Sequence, residues 1–130
     1  MYKIKNKNLD SRVKTWLNVM LQQDIKGKDE LVLHLESLSI KQIEEYPDCI
    51  LVFFKNTKDT KPLSKDNFPT NPILNMMVTS VVLEKEHYTS FTLIAYGDYC
   101  DYVGSLHIYN LMCENYLELE NFENIEFGIG

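Results

Sequence analysis

The chain has 130 residues, is 45% hydrophobic and 25% charged, and carries a formal net charge of −6, which suits a single globular domain over residues 1–130. With 13 Lys and Arg against 19 Asp and Glu, a primary role on nucleic acid is excluded, because neutralising phosphates needs clustered cations. The longest apolar runs, such as ILVFF at 50–54, are far too short to cross a bilayer, so no membrane span is expected.

MYKIKNKNLD has positive charge but no apolar run behind it, so no signal peptide is expected and the location reads as cytoplasmic. Within this opening stretch, Tyr2 and Ile4 alternate with lysines and permit a short edge strand. In LDSRVKTWLNVMLQQD, Val13, Trp16, Leu17, Met20 and Leu21 recur at helical spacing. The pattern predicts an N-terminal helix over about 10–24, capped by Asp10 or Ser11 and stopped by Gly27. ELVLHLESL at 30–38 alternates Leu31, Leu33 and Leu35 with other residues. A strand is expected there, although Leu31, Leu35 and Leu38 also fit a helix. SIKQIEEYP has Ser39 and Gln42 in capping-box spacing and Pro47 behind them, which predicts one or two helical turns.

CILVFFKN at 49–56 reads as a central strand. Residues 55–72 are lysine-rich, with three prolines, and predict a long loop of the kind that is often mobile or functional. Residues 75–97 read as a hairpin around EKEH. SLHIYNLMCENYLEL predicts a C-terminal helix over about 105–118, with Ile108, Tyr109, Met112, Tyr116 and Leu119 on one face. FENIEFGIG alternates Ile125 and Phe127 with acids and permits a last strand. The expected class is α+β, an antiparallel sheet of about four to five strands with helices against one face.

Charge is divided unevenly along this order. Residues 1–85 hold every Lys and Arg and carry +2; residues 86–130 hold none and carry −8. Six of the eight tyrosines also lie in that final third. AYGDYCDYVG at 95–104 opens it. Acid together with tyrosine is the composition of a surface that captures a basic protein, since tyrosine adds rigid area and like charges recover stability on meeting cations. Asp98, Tyr99, Asp101, Tyr102, Glu114, Glu118 and Glu120 are the expected contact residues. The competing expectation is a solvated acidic face, its carboxylates matched by lysines of the same chain.

Catalytic and metal chemistry has thinner support. Cys49, Cys100 and Cys113 are odd in number and widely spaced, which suits free thiols in a reducing compartment. Cys100, His107 and Cys113 lack the short ligand pairs of a structural zinc site, and no metal or cofactor is expected. His34 and His87 have no sequence partner. Cys100 with His107 could form a thiolate pair, the basis of an alternative reading as a small enzyme or ligand-binding domain. A third reading is an oligomeric accessory protein with a tyrosine self-interface. No Gly-rich phosphate-binding motif is present.

The leading expectation is therefore a binding protein, not an enzyme, which neutralises a basic partner by occlusion. In size, charge and lack of a catalytic motif, the chain looks like the small acidic immunity proteins of interbacterial toxin systems. That likeness implies a toxin, particularly a nuclease, as partner, because a nuclease presents a cationic groove. It transfers no residue roles. Twelve lysines against the single Arg12, with eleven asparagines, further suggest a low-GC bacterium or a mobile element.

Overall fold

The computed structural model describes residues 4–82, 85–97, 99–109 and 124–127, with only the backbone described at 80–82, 85–87 and 124–127. Two helices, α1 (Ser11–Met20) and α2 (Lys28–Glu36), precede six strands. These are β1 (Ser39–Glu45), β2 (Cys49–Lys55), β3 (Leu74–Val82), β4 (Lys85–Tyr96), β5 (Tyr102–Tyr109) and β6 (Asn124–Phe127). They form one antiparallel sheet in the order β1-β2-β5-β4-β3-β6. The class is α+β, as composition and periodicity suggest.

α1 forms where its apolar stripe requires it. Asp10 caps the first turn, its carboxylate accepting from the Arg12 amide at 2.8 Å. Val13, Trp16, Leu17 and Met20 are buried. α2 replaces the strand expected at 30–38. Its buried residues are Leu31, Val32, His34 and Leu35, while Leu33 is 68% exposed. A two-residue alternation would have put Leu33 inside with Leu31 and Leu35; the 3.6-residue period leaves it outside. Gly27 does not stop α1. It starts α2 as its N-cap at φ 78°, a conformation glycine adopts without steric cost.

Both helices pack against one face of the sheet. Ile50, Val52 and Phe54 of β2, Met76 and Val78 of β3, Phe91 and Leu93 of β4, and Val103, Leu106 and Ile108 of β5 share their buried cluster. Two β-bulges interrupt the strand periods, one of them within a misread segment. In β1, the register slips between Ile40 and Gln42, so Ile40 and Ile43 both fall opposite core positions of β2. A bulge thus turns a strand's spacing of two into a helix-like spacing of three, and SIKQIEE is a strand rather than helical turns. In β5, the slip beside Ile94 and Ala95 leaves Gly104 as the extra residue, so Val103 and Leu106 both reach the core. Residues 105–109 are therefore strand and not the start of a C-terminal helix; the rest of that expected helix, 110–118, lies outside the described residues. The 75–97 hairpin is β3 and β4, and the strand expected in the tail is β6, at the sheet's edge.

The N-terminal segment forms no strand at Ile4, and Tyr2 lies outside the described residues. Ile4 is buried, and its amide donates to Asn18 Oδ1 at 2.7 Å. Asn6, 7% exposed, donates through Nδ2 to the carbonyls of Leu35, Glu36 and Leu38 at 3.4, 2.9 and 2.5 Å. It thereby serves the Glu36 carbonyl at the end of α2 and the Leu38 carbonyl just beyond it, while Leu35 O also accepts from the Leu38 amide at 3.2 Å.

The lysine-rich loop between β2 and β3 is pinned along its length. Leu63 and Phe68 are buried. Glu30 of α2 accepts from Ser64 N at 3.0 Å, Ser64 Oγ at 2.7 Å and Asn67 Nδ2 at 3.1 Å. Burial pushes the Glu30 carboxyl up, but the Ser64 and Asn67 bonds outweigh it and hold the group below the usual carboxylate range. Glu30→Ala is expected to cost about 1–2 kcal/mol at pH 7, water replacing part of what is lost. Because a depressed carboxyl stabilises only when ionised, the difference from the parent chain should shrink as pH falls through the carboxylate range. Urea unfolding at pH 7 and pH 3.5 checks both statements; an equal difference at the two values would remove the carboxylate from the explanation.

Candidate protein-binding surface

Three of the expected contact residues lie at the turn that joins β4 to β5. Gly97 and Cys100 adopt φ 100° and φ 54°, and the Cys100 amide closes the turn on Gly97 O at 3.1 Å. Tyr99 at its tip is 71% exposed. Asp101 and Tyr102 are half-buried at its base. Of the seven expected contact residues, Tyr99, Asp101 and Tyr102 are therefore brought together. Asp98, Glu114, Glu118 and Glu120 lie outside the described residues. The loop comes up against the same turn, since Leu63 N donates to Asp101 O at 2.7 Å. Lys61 and Lys65 stand two positions either side of Leu63 in the chain, yet Asp101 forms no ion pair with a described residue.

From this turn, a row of aromatic side chains runs along the sheet face that faces away from α1 and α2. Tyr96 and Tyr102 are register partners with ring centroids 6.0 Å apart, and Tyr102, the first residue of β5, also lies 6.0 Å from the His34 ring of α2. Beside them, the Tyr96 ring lies over Gly104; a Cβ there would sit 2.6 Å from Tyr96 Cδ1. Only glycine leaves room for this close approach. Further along, Phe53 meets His107 edge-on at 6.5 Å, and His107 meets Tyr109 at 5.8 Å, with His107 Nδ1 and Tyr109 Oη 2.9 Å apart. Tyr96 and Tyr109 are 44% and 41% exposed. No helix among the described residues covers this row. A shallow groove of about 840 Å³ opens where Phe53 and Tyr96 stand in this row, lined also by Ile94 and Gly104 and by Lys41, Gln42, Glu44 and Lys55.

The expected contact set did not include Phe53, Tyr96, His107 and Tyr109. The signal was there: Leu51 and Phe53 alternate with core residues of β2, as Ser105, His107 and Tyr109 do in β5. Reading 105–118 as a helix scattered the latter three around an axis instead of aligning them on one face.

The arrangement does not assemble the chemistry of the alternative reading. Cys100 lies in the turn and His107 within β5, seven positions further on and roughly 20 Å away along extended chain. Cys113 and the His87 side chain lie outside the description. Burial, helped by Asp48, pushes the Cys49 thiol up, which disfavours the nucleophilic thiolate. Burial pushes His107 down, which favours its neutral ring. Among the described residues, no group of three or more His, Cys, Asp or Glu could hold a metal ion. No described helix is long and apolar enough to cross a membrane.

Comparison of the chain with protein-family models, curated proteins and solved structures returns no match.

Proposed function

We propose that the chain is a small acidic binding protein that neutralises a basic protein partner by occlusion, acting in the cytoplasm as an immunity protein or inhibitor of a bacterial toxin such as a nuclease. The observation that supports this reading is the aromatic row on the face that no described helix covers, beside the exposed Tyr99 and the Asp101 carboxylate, which pairs with no cation among the described residues. Tyrosines of this kind act as interface anchors because they bury much area at little entropic cost. The net charge of −6 steers such a surface toward a cationic one and speeds the encounter. Lys41 and Lys55, which line the groove, oppose a basic partner at that end, which fixes the way round it can sit.

The test is inhibition of a purified basic nuclease toxin domain encoded beside this chain. The parent protein should abolish DNA cleavage at equimolar ratio, with affinity falling steeply between 50 and 500 mM salt. Tyr96→Ala with Tyr99→Ala should weaken binding about 30-fold or more, the loss of at least 2 kcal/mol expected of interface anchors. Asp101→Lys should mainly slow association. Absence of inhibition, or an affinity indifferent to salt and to all three substitutions, would refute the proposal.

A further inference from the structure

His34 stands apart from the surface but holds it in place. It projects from α2 and is 4% exposed. Nδ1 lies 2.7 Å from the Lys61 carbonyl of the loop, and Nε2 accepts from the Val103 amide of β5 at 3.1 Å. These two bonds fix the neutral tautomer with its proton on Nδ1. One side chain therefore ties α2 to both the loop and the strand that follows the β4–β5 turn. Tyr102 packs its ring 6.0 Å from the imidazole.

We propose that His34 is an acid-sensitive latch on the turn that presents Tyr99 and Asp101. A second proton has one place to go, Nε2, and there it would face the Val103 N–H, donor against donor, in a buried site. The Lys61 bond survives protonation; the Val103 bond does not. The start of β5 must then part from α2, or the ring must leave its pocket, and either movement frees the turn. Several groups face the ring from the elements around it. Glu30 on α2 and Asp101 on the turn favour the imidazolium, the loop offers only the Lys61 carbonyl, and β5 contributes the Tyr102 phenol. Burial outweighs the two carboxylates and holds His34 below its ordinary range. A histidine depressed in this way gives its full stabilisation above about pH 6.5 and loses it as pH falls below that value, because the unfolded or opened chain takes the proton first.

The latch stands on the fold alone; its use in releasing a partner rests on the binding function proposed above. Amide hydrogen exchange on the whole chain between pH 7.5 and pH 5, corrected for intrinsic rates, tests it. Opening at the Val103 and Leu63 amides should grow more frequent by up to tenfold per pH unit below about 6.5. In His34→Gln, whose amide oxygen can accept from Val103 but cannot charge, that dependence should vanish. A flat profile in the parent chain, or the same slope in His34→Gln, overturns the latch. Should His34→Gln fail to fold, the parent profile and the NMR titration of the His34 ring decide; an ordinary titration with Val103 unmoved also overturns it. Release of the nuclease domain on acidification, lost in His34→Gln, supports the regulatory use. Binding that ignores pH while the exchange result holds overturns that use and leaves the latch intact.

Discussion

Replacing Trp16 with alanine is expected to remove about 3–5 kcal/mol of stability, the cost of emptying a large aromatic site in a core that cannot fully collapse. Trp16 is fully buried, with its ring centroid 6.0 Å from that of Phe91 at an interplanar angle of 57°. It is where α1 meets the middle of the sheet, because β4 carries Phe91 between β3 and β5. Domains of this kind have about 5–15 kcal/mol in total, so the variant should stand near the edge of folding. Urea unfolding followed by circular dichroism is the appropriate measurement, since the substitution removes the sole tryptophan. The midpoint should fall sharply with the slope unchanged. A loss under 1 kcal/mol would show that α1 is not docked as described.

Asn6→Leu is expected to cost about 2–4 kcal/mol for a different reason. The side chain that would replace the amide is similar in bulk and apolar, so cavity formation is not the issue. What disappears is the donor that serves the Glu36 and Leu38 carbonyls; the Leu35 carbonyl, its longest contact, keeps the Leu38 amide. Acceptors left buried without partners carry their full desolvation cost, roughly 1–3 kcal/mol each where water cannot replace the donor. The same side chain also accepts from the Asn8 amide at 2.7 Å, which shapes the approach to α1. Thermal unfolding should register the loss, and exchange should rise first at the C-terminal end of α2. Wild-type stability in Asn6→Leu would mean that this end of the helix is open to solvent.

The parts of the fold legible in the sequence were those with uninterrupted periods. Val13, Trp16, Leu17 and Met20 announced α1, CILVFF announced β2, and two β-rich runs announced the β3–β4 hairpin. The errors have definite physical causes. Leu33 was assigned inward because alternation and helical spacing coincide over so short a run, and only burial separates them. SIKQIEE was read as helical turns from its capping-box spacing, and the bulge there sets the core-facing Ile40 and Ile43 three apart as a helix would; SLHIY was read as helical from a stripe that runs on through Met112, Tyr116 and Leu119, although Leu106 and Ile108 alternate as in a strand. Tyr99, Asp101 and Tyr102 could be picked out by composition, since tyrosine and acid concentrate there. Composition does not single out Phe53 and His107: alternation along each strand turns them outward, but they become neighbours only when β2 pairs with β5 across a long separation in the chain.

That pairing has a bearing on how the protein is made. β5 lies between β2 and β4, so β2 obtains its inner neighbour only after residue 109 has left the ribosome. At elongation rates of about 5–20 residues per second, the interval between completing β2 and completing β5 is roughly 3–11 s. Throughout it, ILVFF has β1 on one side and an unpaired edge on the other. Open apolar edges of this kind are where nascent chains aggregate, so CILVFFK is the segment that a ribosome-associated chaperone would most need to shield.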